Sequence, residues 1–176
     1  MPSIDPAHLR QIIRCTLLQL DMYSPAAEEL LLGTSAHESH LGHWLMQYPH
    51  GPARGLYQME PATEADIWDN YLYYRPERAT LVTKLTGVIK PSILNLQFNP
   101  IYSTAMARLH YRRIEDPLPP ADDIDALSCY WDQHYNRNDR KGFPSQFIDD
   151  YRRLVAATTP APTAVAAHPV AIGCPD

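Results

Sequence analysis

Prolines stand at the start of most segments whose apolar residues recur at helical spacing. Pro6 and Pro25 each follow a residue that can cap a helix, Asp5 and Ser24. Proline is favoured at the first helical position because the N–H that it lacks would have no partner there. Asp and Ser side chains accept hydrogen bonds from the first free N–H groups. One apolar stripe after Pro6 is formed by Leu9, Ile12, Ile13, Leu17 and Leu20. The chain is therefore predicted to begin with two helices.

The same pattern continues along the chain. Further helices are predicted to open at Pro61, Pro76, Pro100 and Ser145, and another covers DIDALSCYWDQHY, residues 123–135. No segment alternates apolar and polar residues long enough to predict a strand, although residues 43–58 leave room for a short hairpin. The predicted fold class is mainly α.

The second helix is the one that carries the most informative residues. It is predicted to run from Pro25 to about Leu41 and to close at Gly42, because glycine is best suited to the left-handed conformation after a helix. This span places Glu38 in the last helical turn.

Composition limits the domain organisation and the partners. A chain of 176 residues suits one domain. From residue 158 the sequence TTPAPTAVAAHPVAIGCPD contains no Lys or Arg, and such a segment buries too little surface to order itself. We therefore expect one domain over residues 1–157 and a tail over residues 158–176 that is disordered or held by a partner.

Charge and cysteine content exclude several functional classes. The chain has 15 basic and 20 acidic residues, with a formal net charge of -5, so no basic face for nucleic acid is expected. Cys15, Cys129 and Cys174 are odd in number and far apart, which favours free thiols over disulfides or a zinc site. No run approaches the roughly 18 apolar residues that span a bilayer, and no apolar signal region follows the N-terminus. Neither a membrane span nor a signal peptide is expected.

Glu38 lies in HESHLGH, where His37, His40 and His43 follow at steps of three. A zinc metalloprotease helix needs two histidines four residues apart, with the glutamate directly after the first. The spacing here does not match, so no metal and no cofactor are predicted, and a metal-dependent hydrolase remains an alternative.

A second interpretation of Glu38 is a catalytic acid. A carboxyl in the last turn of a helix lies at the negative end of the helix dipole, and the neighbouring leucines and Trp44 can exclude water from it. Both effects oppose ionisation. A glutamate that holds its proton toward neutral pH can protonate a glycosidic oxygen.

Two motifs resemble the soluble lytic transglycosylases of the lysozyme-like superfamily and their bacteriophage relatives. AHESHLG resembles the Glu-Ser that ends a helix in that family, and GPARGLYQMEPAT resembles its G-x-x-G-L-M-Q-I-x-P-x-T. A third segment, NPIYSTAMARLHYRR, resembles the helix that follows. The resemblance covers roughly residues 25–155 and implies a lysozyme-like helical domain.

The resemblance also implies residue roles. Glu38 would be the catalytic acid and base, and Ser39, Tyr57, Gln58 and Tyr130 would bind substrate. Tyr57 stands where the family has methionine. The late A-Y-N motif corresponds only to CYWDQHYN, where Tyr130 is taken as the tyrosine that hydrogen-bonds near the glutamate and Trp131 replaces the asparagine.

The implied reaction is cleavage of the bond between N-acetylmuramic acid and N-acetylglucosamine in peptidoglycan strands. As the family is understood, one acid suffices, whereas glycoside hydrolases usually need two carboxylates. The candidates for a second one are Glu60, Glu64, Asp66 and Asp69. Glu60 is expected to cap a helix and the other three to face solvent, so transglycosylation is favoured over lysozyme-type hydrolysis.

The resemblance to phage proteins suggests a setting. We expect synthesis in the cytoplasm of a host cell, transport in a virion and action in the cell wall during infection, with the tail of residues 158–176 bound to other virion or tail proteins. The alternative is a non-catalytic virion structural protein that keeps a lysozyme-like fold.

Overall fold

A computed structural model of the protein describes residues 3–47, 49, 51–136 and 143–158. The helices in this part of the chain are α1 (Pro6–Gln19), α2 (Pro25–Ser39), α3 (Pro61–Ile67), α4 (Pro76–Thr86), α5 (Ile93–Phe98), α6 (Pro100–Arg112), α7 (Ile124–His134) and α8 (Pro144–Leu154). A π-helical turn, Trp68–Leu72, continues α3, and a short 3-10 turn, Ala156–Thr158, follows α8. The prediction of a mainly α protein is confirmed. Apart from Thr158, the predicted tail lies outside the described residues.

The helix starts follow the local rules of capping. Asp5 accepts hydrogen bonds from the backbone N–H groups of Ala7 and His8 at 2.9 and 3.2 Å, and the Ser24 hydroxyl accepts one from Ala27 at 3.1 Å. The last helix begins at Pro144, one residue before the predicted start. The short helix α5 was not predicted, because its six residues are too few to show a helical period.

The predicted hairpin over residues 43–58 is reduced to two isolated bridges. Arg54 pairs with Met46 on one side and with Met59 on the other. The described residues contain no longer β-pairing, since loops and turns separate the bridges. This compact loop connects the end of α2 to the start of α3.

Helix α2 is the centre of the structure. It packs against α1, α6, α7 and α8, and its residues Leu30, Leu31 and Leu32 are all buried. Three consecutive residues point to different sides of a helix, so the burial of all three leucines is typical of a core position. The catalytic candidate Glu38 is therefore carried by a helix that is largely enclosed by its neighbours. None of the described helices is both long and apolar enough to cross a membrane.

The contact between α2 and α8 depends on the absence of a side chain at Gly33. A Cβ atom built at this position would lie 2.2 Å from Cζ of the Phe147 ring. Phe147 is fully buried and cannot move aside without disturbing its neighbours. Glycine is therefore required here for close packing, even though it weakens an isolated helix.

We predict that Gly33→Ala lowers the free energy of unfolding by about 1–2 kcal/mol, because overpacking a core costs about 1–3 kcal/mol and the gain in helix propensity offsets part of it. Urea denaturation measures the change. Phe147→Leu removes the atoms that clash with the new methyl group, so the double variant should lose less stability than the sum of the two single variants. Strictly additive losses would contradict the contact.

Candidate active site

Glu38 lies in the last turn of α2, as predicted, but the helix ends earlier than expected. It stops at Ser39, and His40 is the left-handed capping residue, with φ 49° and ψ 54°. Leu41 and Gly42 continue with φ values of 56° and 83°. Non-glycine residues seldom adopt this conformation and it costs free energy. The predicted closure at Gly42 is therefore wrong by two residues.

Ser39 explains why the chain can turn here. Its hydroxyl is fully buried, donates to the Leu56 carbonyl at 2.7 Å and accepts from the Gly42 N–H at 2.9 Å. The side chain of Leu41 is also buried in the core. Ser39 thus joins the end of α2 to the following loop. Its predicted contact with substrate is replaced by this structural role.

The loop after α2 forms the other wall of the site. Gly55, with φ 77°, lies so close to α5 that a Cβ atom there would be 2.0 Å from the Leu96 carbonyl oxygen. Gln58 also has a positive φ, 42°, and its side-chain amide donates to the carbonyls of Trp44 and Gly55 at 3.0 and 2.9 Å. These contacts hold the loop in a fixed position beside Glu38.

A cleft of about 360 Å³ is lined by Glu38, Trp44, Gln47 and Gln58. Two residues predicted from separate motifs, Glu38 and Gln58, therefore meet in one cleft. The Trp44 ring is 49% exposed and packs edge-on against His43, with ring centroids 4.5 Å apart. A half-exposed aromatic ring beside a carboxyl and two amides is a typical arrangement for binding a polar ligand with an apolar face.

Trp131 is the closest partner of the carboxyl. Its indole N–H donates to Oε1 of Glu38 at 3.0 Å, and its ring is almost completely buried. The edge of the His37 ring packs against Trp131, with centroids 4.6 Å apart, and Nδ1 of His37 is 2.9 Å from Oδ2 of Asp150. Asp150 and His37 therefore support the residue that holds the acid in place.

Burial changes the acidity of Glu38. The side chain is half-buried, and the loss of water raises its pKa from 4.5 to about 7. The charge of His37 and the hydrogen bond from Trp131 act in the opposite direction, because both favour the ionised carboxylate. Desolvation is the larger effect. At neutral pH the site therefore contains both protonated and ionised Glu38.

Tyr57 and Tyr130 do not take the places predicted for them. Tyr57 is 1% exposed and its hydroxyl lies 2.9 Å from the Thr104 hydroxyl, inside the core. The Tyr130 hydroxyl donates to the carbonyl of Asp116 at 3.0 Å, not to a group near the acid. Both assignments are corrected: neither side chain lines the cleft of Glu38 in the described structure.

Tyr135, close to Tyr130 in the sequence, lies within electrostatic range of Glu38. Its hydroxyl donates to the Tyr57 carbonyl at 2.8 Å, and the nearby charge of Glu38 adds to burial in raising its pKa. The pair Tyr135-Asn136 is the only Tyr-Asn pair in CYWDQHYN.

The histidines of HESHLGH do not converge as metal ligands. His37 contacts Asp150, and Nε2 of His40 is 3.8 Å from the same carboxylate, whereas His43 packs on Trp44. Within the described ranges, no group of three or more His, Cys, Asp or Glu side chains is arranged to hold a metal ion.

None of the four carboxylates that the sequence offers as a second catalytic group lines the cleft. Glu60 occupies the position before α3 but makes no capping hydrogen bond with its side chain. Glu64, expected to face solvent, is instead 1% exposed and accepts hydrogen bonds from the Ser92 N–H and the Tyr102 hydroxyl. Asp66 forms an ion pair with Arg113 at 2.5 Å, and Asp69 is exposed.

Comparisons of the chain with protein-family models, with curated proteins and with solved structures find no match. The chemistry available to the site therefore follows from its own side chains: one carboxyl of raised pKa, one N–H donor, one exposed ring and two amides.

We predict that Glu38→Gln stabilises the fold at high pH and leaves it nearly unchanged at low pH. Between pH 4.5 and about 7 an unfolded chain ionises this glutamate while the folded chain keeps its proton, so the free energy of unfolding of the wild type falls as pH rises through this range. Glutamine has no proton to lose. The variant should be more stable than wild type by about 1–3 kcal/mol at pH 8.

Urea denaturation at about pH 4 and pH 8 measures the difference. Glu115→Gln is the matched control because Glu115 is exposed and its substitution removes the same charge without a change in burial. A stabilisation of Glu38→Gln that does not depend on pH, or one that Glu115→Gln shows equally, would contradict the raised pKa.

Proposed function

We propose that the protein cleaves the glycosidic bond between N-acetylmuramic acid and N-acetylglucosamine in peptidoglycan, with Glu38 as the general acid. The observation that carries the proposal is the half-buried carboxyl in a cleft, whose pKa of about 7 matches proton transfer near neutral pH. The motifs around Glu38 and Gln58 supply the substrate class. The proposal that the helices have a lysozyme-like arrangement rests on the same two motifs alone.

The contacts of the carboxyl allow it to donate a proton when the glycosidic bond breaks and to accept one in the next step. Trp131 donates to Oε1 of Glu38, which leaves Oε2 to carry the proton. That proton passes to the oxygen of the leaving sugar as the bond from this oxygen to the anomeric carbon breaks. The carboxylate that forms is stabilised by the N–H of Trp131 and can then accept a proton from the attacking hydroxyl.

The cleft walls provide surfaces for the sugar rings. The exposed face of Trp44 can pack against the apolar face of a sugar, and the amides of Gln47 and Gln58 offer donors and acceptors for its hydroxyl and acetamido groups. The amide of Gln58 already donates to two loop carbonyls. Its side chain is thereby oriented before the substrate binds, and its carbonyl oxygen is available as an acceptor.

The lack of a second carboxylate in the cleft favours transglycosylation. A retaining hydrolase holds its second carboxyl at about 5–5.5 Å and an inverting one at about 6.5–9.5 Å. In the described chain, Glu38 is the one carboxylate among the residues that line the cleft. With one acid, the attacking group is best supplied by the substrate itself, as the hydroxyl on C6 of the muramic acid residue, which closes an anhydro ring.

We predict that Glu38→Gln reduces the lysis of purified sacculi by at least about 100-fold, because the amide keeps the size of the side chain but has no proton to donate. Turbidity of sacculi measures the rate, and a melting curve verifies the fold. Glu115→Gln, which removes a charge far along the sequence from the site, should lyse at the wild-type rate. Undiminished lysis by a folded Glu38→Gln variant would remove the assignment.

The wild type must also turn over its substrate. If the folded protein leaves sacculi intact between about pH 5 and pH 8, the range that spans the pKa of Glu38, the catalytic proposal fails. The non-catalytic virion protein then becomes the better account.

We predict that digested sacculi carry 1,6-anhydromuramic ends. Mass spectrometry distinguishes them because an anhydro product is lighter than a hydrolysed product by one water. A digest that consists of reducing ends would contradict one-acid chemistry and would assign the protein to hydrolysis. Incorporation of ¹⁸O from labelled water gives an independent control, since only hydrolysis adds it to the product.

A further inference from the structure

A polar pocket of about 560 Å³ shares no lining residue with the cleft of Glu38. Three arginines contribute to its walls, Arg75 and Arg78 at the start of α4 and Arg112 at the end of α6. Tyr71 and Tyr74, from the turn before α4, line it as well. We call it the arginine pocket.

Two arginines of this pocket, Arg75 and Arg78, are held in place by uncharged groups. The guanidinium of Arg75 lies over the Tyr71 ring, 4.0 Å from its centroid, and donates to the Tyr71 carbonyl at 3.3 Å. Arg78 donates to the Leu20 carbonyl at 2.9 Å. These uncharged partners fix the direction of the guanidinium groups and leave their charge uncompensated.

Other arginines of the protein form ion pairs. Each of four has a carboxylate partner within salt-bridge distance: Arg10, Arg14, Arg113 and Arg153. Among the described residues no such pair forms for Arg75, Arg78 or Arg112, although Asp21 and Glu77 line the same pocket.

A fourth arginine, Arg108, interacts electrostatically with two of these arginines, Arg78 and Arg112. Arg108 is 8% exposed, and the one hydrogen bond of its guanidinium to a described residue runs from Nε to the Met22 carbonyl at 3.2 Å. Burial lowers its pKa, and the charges of Arg112 and Arg78 lower it further. A buried cation without a carboxylate partner is costly, and an anion that binds nearby would relieve that cost.

We propose that the arginine pocket binds a phosphoryl group that carries two negative charges. Three arginines and two carboxylates line the pocket, and the buried Arg108, which interacts with Arg78 and Arg112, adds a further positive charge behind it. A dianion neutralises this excess of two positive charges. Its tetrahedral oxygens can accept hydrogen bonds from more than one guanidinium fork. A carboxylate has one charge and two oxygens, so it neutralises less of the positive charge and accepts fewer hydrogen bonds from the guanidinium groups. The inference is independent of the activity proposed for Glu38.

Isothermal titration with inorganic phosphate at low ionic strength tests the proposal, since salt screens such contacts. Arg112→Gln is the informative variant. Its side chain is exposed and makes no hydrogen bond to a described residue, so the fold should not depend on it. We expect phosphate to bind at least about tenfold more weakly to this variant, the effect of losing one charge-assisted contact.

Arg152→Gln is the matched control because Arg152 is an exposed arginine of α8 outside the pocket. This variant should bind phosphate as the wild type does. Equal weakening in both variants would show a general charge effect and overturn the proposal. Failure of the wild type to bind phosphate, or binding of acetate as tight as that of phosphate, would overturn it too.

Two further probes distinguish the sources of the phosphoryl group. Sedimentation with phosphatidylcholine vesicles that contain phosphatidic acid, lost in Arg112→Gln, would assign it to a lipid headgroup. Binding of glycerol 3-phosphate without retention on these vesicles would assign it to a soluble phosphate ester. Either result supports a phosphoryl site, provided that Arg152→Gln behaves as the wild type.

Discussion

The loss of water around one carboxyl group governs the chemistry that this fold can offer. Glu38 is half-buried at the end of the central helix, and the indole N–H of Trp131 is the one side-chain hydrogen bond to its oxygens in the described structure. One donor does not compensate for the lost water, and the pKa of the carboxyl rises to about 7. A tighter set of donors would hold the carboxylate ionised and remove its use as an acid.

The surrounding structure maintains this balance at a cost in backbone strain. His40 and Leu41 adopt left-handed conformations directly after the helix that carries the acid, and such residues persist only where their surroundings enforce them. The buried hydroxyl of Ser39 and its bonds to the loop provide that enforcement. On the other side, Asp150 and His37 support Trp131. Rigid supports of this kind fix the direction of the acid before a substrate binds.

The sequence predicted the features that are determined by neighbouring residues. Proline and capping side chains located most helix starts, and the predicted span from Pro25 to the glycine at position 42 placed Glu38 in the last turn of α2. Trp131 and Asp150 were not predicted as partners, since they reach Glu38 and His37 across separations of 93 and 113 residues. Tyr130 was predicted to hydrogen-bond near the acid, but its hydroxyl donates to the Asp116 carbonyl, a contact that the local sequence does not indicate. The net charge of -5 likewise gave no sign of the arginine pocket, because it sums over positions that only folding brings together.

A titration of Glu38 itself tests the central claim most directly. Carbon-13 NMR of the side-chain carboxyls, with Glu38→Gln used to assign the signal, follows the ionisation of this group in the folded protein. We expect a midpoint at about pH 7, well separated from the ordinary value of 4.5. Trp131→Phe should move the midpoint higher, because the lost hydrogen bond favours the carboxylate. A midpoint near 4.5 in the wild type would contradict the assignment of Glu38 as an acid at neutral pH.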